Sequence, residues 1–155
     1  MKVSLISVGG KMPQWVNDGY REYAKRLPKE LHPQLIDLPL ANRGKNANTE
    51  KLKTEEGEQI LAALPKGARM IALDVKGKAL STHDLTRKIE QWQMDGTDVS
   101  IVIGGPDGIA AECLARADER WSLSAMTMPH PLVRVFLIEQ LYRAWTITQN
   151  HPYHK

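Results

Sequence analysis

The stretch ARMIALDV, residues 68–75, is a nearly continuous apolar run. Strands that are buried on both faces of a parallel sheet read in this way, because neither face meets water. A second run of this kind, SIVIGG, covers residues 100–105. The two runs therefore predict central strands of a mostly parallel sheet.

The segments around these two strands alternate between strand and helix patterns. Further strands are predicted over residues 3–8, 35–38 and 121–124. Helices are predicted over residues 13–27, 49–64, 81–96 and 107–118, with a final helix from Pro131 onward. Such alternation is typical of an α/β fold, here a mostly parallel sheet with helices on both faces, in a single domain over residues 1–155.

The composition is that of an ordinary globular protein, with 42% hydrophobic and 25% charged residues. No run of about 18 apolar residues is present, so no membrane span is predicted. The opening MKVSLISVGGKMP alternates like a strand and lacks a small-residue cleavage site, which disfavours a signal peptide. Because Cys113 is the only cysteine, an intrachain disulfide is impossible, and a cytoplasmic protein is expected.

The net charge of +3 permits an RNA or phosphate partner without requiring one. Basic residues are concentrated in the first third of the chain. Residues 41–48, ANRGKNAN, lack periodicity and carry Arg43 and Lys45, which predicts a flexible basic loop. On charge alone, a solvated face is the more ordinary interpretation of this region.

Three segments follow predicted strands, at the edge where open α/β sheets bind ligands. They are LDVKGK (73–78), IGGPDG (103–108) and SAMTMPHP (124–131). The glycines of IGGPDG would let a backbone approach a ligand, but the segment lacks the P-loop and G-x-G-x-x-G patterns, so a plain tight turn is an equal alternative. LDVKGK alone favours a turn with solvated lysines.

Two methionines, Met126 and Met128, flank Thr127 in the third segment. Such residues either fill gaps in a core or form a soft apolar floor for an adenine or a methylthio group.

The final helix carries two arginines on different faces. Arg143 shares a stripe with Glu139, four residues earlier, as a surface pair would. Arg134 lies on an otherwise apolar side, where a charge needs a partner or a wet cleft, so a functional role and a structural ion pair both stay open. The first half of this helix is apolar nearly all round, which predicts that a second subunit covers part of it.

The histidines raise the question of a metal. His151, His154 and the distant His130 resemble a zinc ligand set in type only, because Pro152 opposes a regular helix through the pair and no cysteine cluster exists. No metal is therefore predicted. Cys113 is expected to be a buried, inert thiol.

Nearly end to end, the chain resembles the SPOUT-class RNA methyltransferases of the RlmH type, which methylate N3 of a pseudouridine in large-subunit ribosomal RNA. The matching segments are VSLISVGGKMPQWV, RGKNA, LDVKGK, VIGGPDG, LSAMTMPHPLVRV and IEQLYRAWTITQNHPYHK. The resemblance implies a C-terminal trefoil knot, a feature that general topology rules disfavour. It also implies S-adenosylmethionine as cofactor, a homodimer, and 23S rRNA within the assembled ribosome as substrate, with neither DNA nor a membrane as partner.

The resemblance also assigns site residues. The implied cofactor-binding residues are Leu73, Gly104, Gly105, Leu123, Ser124, Ala125, Met126, Thr127 and Met128. Methylation of an imide nitrogen requires that its proton be removed or its anion stabilised.

The candidates for this chemistry are His154 as base with His130 as the alternative, Tyr153 as stacking or hydrogen-bonding partner, and Arg143 or Arg134 as anion stabiliser. Arg43 and Lys45 are expected to contact rRNA phosphates. A non-enzymatic rRNA-binding assembly factor is the chief rival interpretation, and a metal-dependent hydrolase is a weaker one.

Overall fold

A computed structural model describes residues 1–42, 44 and 48–154 of the chain. Over these residues, five strands form one sheet in the order β2-β1-β4-β3-β5. The strands are β1 (Val3–Val8), β2 (Gln34–Leu38), β3 (Arg69–Ala79), β4 (Val99–Ile103) and β5 (Glu119–Ser122). Every pairing is parallel, which confirms the predicted sheet and places the two apolar runs, β3 and β4, in its interior.

Helices cover both faces of this sheet, as predicted. They are α1 (Gln14–Ala24), α2 (Thr49–Ala63), α3 (Thr82–Asp95), α4 (Ala111–Arg116) and α5 (His130–Thr148). Ile71 of β3 joins a core with residues of α1, α3 and α5, whereas its neighbour Ala72 joins a second core with residues of α2 and α4. The alternation follows from strand geometry, because successive side chains point to opposite faces.

Several element boundaries differ from the sequence-based expectation; α1, for example, ends at Ala24 rather than at residue 27. α4 is shorter than the predicted 107–118, because residues 105–108 form a turn in which Gly108 N donates to Gly105 O at 3.0 Å and Gly108 has a φ of +86°. β5 begins at Glu119 rather than 121, since Glu119 pairs with Ile71 of β3. β3 continues through the predicted turn at 73–78 to Ala79, because it bulges and then resumes its pairing with β5.

The bulge in β3 lies close against the neighbouring strand β5. Leu73 and Lys78 both pair with Trp121, so residues 74–77 leave the ladder between them. A Cβ atom on Gly77 would lie 2.7 Å from the carbonyl carbon of Arg120, a distance that only glycine permits.

α5 begins at His130, one residue before the predicted Pro131, and packs against α1 and α3. A short 3-10 turn, Pro152–His154, follows it. Leu132 of α5 is 44% exposed and Trp15 of α1 is 54% exposed. The expected trefoil knot stays a prediction. No helix among the described residues is long and apolar enough to cross a membrane.

Candidate functional site

Three of the predicted loops leave from one edge of the sheet. β4, β3 and β5 are consecutive parallel neighbours, so their carboxyl ends lie side by side. Gly104 and Gly105 follow β4, Leu73 precedes the bulge of β3, and residues 123–128 follow β5. The predicted cofactor-binding residues are therefore gathered at the edge where parallel sheets bind ligands.

The glycines after β4 are held tightly by the protein itself. A Cβ atom on Gly104 would lie 2.5 Å from Ile109 Cγ1, and one on Gly105 would lie 2.9 Å from Glu56 Oε1. Neither position tolerates a side chain without a shift of its neighbours. The tight turn, one of the two alternatives for the segment IGGPDG, is thus present. It leaves a stretch of backbone without side chains at the end of β4.

The segment after β5 is held by serine side chains and exposes its middle. Ser122 Oγ donates to Ser124 O at 3.2 Å, and Met126 N donates to Ser124 Oγ at 3.0 Å. Met126 is 79% exposed, and Ala125 and Thr127 are exposed as well. Met126 therefore does not fill a core gap, and its side chain is free to meet a ligand.

Arg134 is a buried ion-pair residue. It is 1% exposed, and its Nη2 donates to Asp37 Oδ1 at 2.6 Å and to Ser7 Oγ at 2.8 Å. The structure shows this ion pair, and a functional role of Arg134 stays a prediction. Ser7 and Asp37, which complete this arrangement, were not singled out in the sequence.

His130 is engaged at both ring nitrogens. Nε2 lies 2.7 Å from Ser7 Oγ, and Nδ1 lies 3.1 Å from Gly104 O. Because a carbonyl oxygen only accepts, the network assigns the ring proton to Nδ1. Burial and then the nearby Arg134 charge lower the pKa of His130, outweighing the opposite effect of the Gly104 carbonyl and Asp37. The imidazole is thus held in its neutral form.

The C-terminal turn folds back onto α5. Tyr153 Oη donates to Glu139 Oε2 at 2.8 Å, and Arg143 Nη2 lies 2.8 Å from the same oxygen. The Arg143 guanidinium also lies 5.0 Å from the centroid of the Tyr153 ring, and Tyr142 packs edge-on against that ring. Burial and the Glu139 carboxylate raise the pKa of Tyr153, which keeps the phenol protonated as a donor. Glu139 therefore joins two of the predicted site residues.

His154, the last described residue, has one unsatisfied nitrogen. Its Nδ1 is buried and has no hydrogen-bond partner among the described residues. Buried polar atoms are usually hydrogen-bonded, so this nitrogen calls for a partner outside the described residues.

The tail and the loops occupy different ends of α5. Arg143 lies 13 residues after His130 in this helix, which corresponds to about 20 Å along the axis. Within one chain, the structure joins His130 to Gly104 and Tyr153 to Arg143, but the helix separates the two groups.

Arg43 and Lys45 lie outside the described residues. Cys113 is buried, and burial raises the pKa of its thiol to about 11, as expected for an inert cysteine. Among the described residues, no group of three or more His, Cys, Asp or Glu side chains could hold a metal ion.

Comparison with known proteins gives one consistent result. A family model described as a predicted SPOUT methyltransferase matches residues 1–154. A protein named ribosomal RNA large subunit methyltransferase H from Saccharophagus degradans is 64% identical over 155 residues, which is all of both chains. Proteins of the same name from Teredinibacter turnerae (61% identical, all of both chains) and Hahella chejuensis (56% identical, all of this chain and 99% of the relative) are also similar.

Proposed function

Because the chain belongs to the SPOUT methyltransferase family, we propose that it methylates N3 of a pseudouridine in 23S rRNA, using S-adenosylmethionine and acting on the assembled ribosome. The observation that carries this proposal is the gathering of three segments at the carboxyl ends of the adjacent strands β4, β3 and β5. The names of the relatives support ribosomal RNA of the large subunit as the substrate class.

The residues at this edge suit S-adenosylmethionine, which when bound supplies its methyl group as an electrophile. The side-chain-free backbone at Gly104 and Gly105 and the main chain of residues 123–128 would hold the adenosine. Leu73, half-buried beside them, and the exposed Met126 offer apolar contacts. Apolar side chains beside a few main-chain donors and acceptors are typical of a nucleoside site.

For methyl transfer, the proton on N3 of the target base must be removed. His154, at the end of the tail, would accept that proton as a general base. The electron pair left on N3 spreads onto the two flanking carbonyl oxygens. Arg143, held by Glu139, would stabilise this anion, and Tyr153 would pack against the ring.

Two copies of the chain are needed to bring these groups to one site. The tail lies about 20 Å along α5 from the loops of its own chain, so the tail of a partner would complete the site. The exposed Leu132 and Trp15 give the helical layer of α1 and α5 apolar surface for such a homodimer.

Contacts with rRNA phosphates would come from Arg43 and Lys45. Replacing both with alanine should weaken ribosome binding and reduce its salt dependence while leaving cofactor affinity unchanged.

Calorimetry with S-adenosylmethionine and with its demethylated product tests the proposal against the rival assembly factor. The proposal expects binding of both at one site per chain, followed by methyl transfer when ribosomes are added. If a purified, folded chain binds neither compound, that result would contradict the proposal and favour an rRNA-binding assembly factor.

A further inference from the structure

A continuous chain of hydrogen bonds runs from Asp37 on the edge strand β2 to Gly104 in the loop after β4. Asp37 Oδ1 accepts from Arg134 Nη2 at 2.6 Å, and the same nitrogen donates to Ser7 Oγ at 2.8 Å. Ser7 Oγ lies 2.7 Å from His130 Nε2, and His130 Nδ1 lies 3.1 Å from Gly104 O. We call these four side chains, Asp37, Arg134, Ser7 and His130, the polar relay. It joins β2, β1 and α5 to the loop that follows β4.

The direction of every bond in the polar relay is fixed by its one permanent donor. A guanidinium cannot accept, so Ser7 Oγ receives a proton from Arg134 and gives its own to His130 Nε2. The imidazole must then carry its proton on Nδ1, where it meets the Gly104 carbonyl. A protonated ring would add a second donor toward Ser7 and leave the hydroxyl proton without an acceptor.

The surrounding chain also holds the imidazole ring in place. A Cβ atom on Gly9 would lie 3.1 Å from His130 Cε1 and 2.6 Å from Met12 Cε, so the turn after β1 packs closely on the ring. Ser7 and Arg134 are themselves almost fully buried. A ring confined in this way cannot turn to exchange its two nitrogens without displacing its neighbours.

We propose that His130 is a positioning residue, which through the polar relay fixes the Gly104 carbonyl and so the orientation of the Gly104–Gly105 peptide toward the cofactor. This inference rests on the proposed function. It assigns no proton transfer to His130, since both of its nitrogens are used in holding the loop. The relay acts as outer-shell residues do in other sites, by orienting the groups that touch the ligand.

The first test is the tautomer of His130 in the chain without ligand, read from ¹⁵N shifts of its ring at pH 7.5. We expect the proton on Nδ1 in the wild type and also in Ser7→Ala, because the Gly104 carbonyl still accepts only from a protonated Nδ1. A wild-type proton on Nε2 would overturn the proposal. This readout is independent of whether the cofactor binds, so failure of the proposed function does not obscure it.

The second test separates positioning from base catalysis with two variants. Asparagine keeps a nitrogen donor near the position of Nδ1 but cannot act as a base. His130→Asn should therefore keep cofactor affinity and the single-turnover rate within about threefold, whereas His130→Ala should weaken cofactor binding roughly three- to tenfold. His83→Asn, on the exposed face of α3, is the matched control and should change neither.

Two results would contradict a positioning role. One is a loss of about 10²-fold or more in the rate of His130→Asn with unchanged affinity, which would make His130 a base. The other is unchanged affinity in His130→Ala. Should His130→Ala fail to fold, the His130→Asn rates and the wild-type tautomer still decide the matter.

Discussion

Tyr153 Oη donates to Glu139 Oε2 at 2.8 Å, and this bond ties the C-terminal turn to α5. Arg143 shares the same carboxylate and covers the Tyr153 ring. One acidic side chain thus sets the positions of an aromatic ring and a cation, both of which the sequence assigned to the site. Its loss should affect both together.

Glu139→Ala is expected to loosen the tail and slow methyl transfer, because it removes the acceptor of Tyr153 and leaves Arg143 without its partner. Faster amide exchange over residues 150–154, measured by mass spectrometry, would report the loosening. Tyr153→Phe removes only the hydroxyl contact and should loosen the turn less, since the ring still packs on Tyr142. Unchanged exchange in Glu139→Ala would show that the carboxylate does not hold the tail.

His154→Ala should reduce the single-turnover rate on ribosomes by ~10²–10⁴-fold, the usual contribution of a positioned base. Cofactor affinity should not change, because His154 is absent from the loops at the sheet edge. A near-normal rate in this variant would remove His154 from the mechanism.

The proposed site shared between two subunits gives a further test of His154. Mixed dimers of His154→Ala with a subunit impaired at Gly104 should recover roughly a quarter of wild-type activity, because half of the dimers then contain one intact site. If the mixture shows only the sum of the parent activities, each tail serves its own subunit.

Gly104→Ala should weaken both cofactor binding and the fold, because the added Cβ would lie 2.5 Å from Ile109 Cγ1. Overpacking of this kind typically costs about 1–3 kcal/mol of unfolding free energy. Gly19→Ala on α1 is the control: its Cβ would meet Val135 at 3.5 Å, an ordinary contact. Since glycine is a poor helix former, this change should add about 0.5–1 kcal/mol. Urea unfolding and calorimetry measure the two effects, and equal outcomes for both glycines would refute the steric argument.

Asp37→Asn should destabilise the chain by about 1–3 kcal/mol, because it leaves the buried Arg134 charge without a carboxylate. Glu22→Gln weakens the exposed ion pairs that Glu22 of α1 makes with Lys25 and Arg26, just after the helix, and should have little effect. Urea unfolding of the two variants provides the comparison. Equal midpoints would mean that the Arg134–Asp37 pair contributes no more than a surface pair.

The strands buried in the sheet could be predicted from sequence because burial on both faces leaves a visible apolar run. The sequence pattern predicts the start of β5 two residues late, because this strand has no such run. It is a four-residue edge strand in which only Trp121 is buried, so no periodic pattern marks it. The helix α4 was predicted too long because Pro106 and Asp107 suit a helix start, while the positive φ of Gly108 keeps that segment in a turn.

Some features of the site have a local signal in the sequence, and others depend on contacts between residues that are far apart in the chain. The three loops could be predicted, since each follows a strand in the sequence. The bond between Ser7 and His130 joins residues 123 positions apart and has no local signature. The only sequence signal for this bond is Ser7, which lies in the mostly apolar strand VSLISV, where a buried polar side chain needs a partner. The sequence marks Glu139 only as half of a surface pair with Arg143, because its contact with Tyr153 depends on how the tail folds back.

The most direct test of the proposed activity is mass mapping of 23S rRNA after ribosomes from a strain lacking this protein are incubated with the purified chain and S-adenosylmethionine. We expect that one pseudouridine gains a single methyl group on N3, and that free 23S rRNA remains unmodified. Methylation at another position or base, or no methylation by a chain that binds the cofactor and the ribosome, would contradict it.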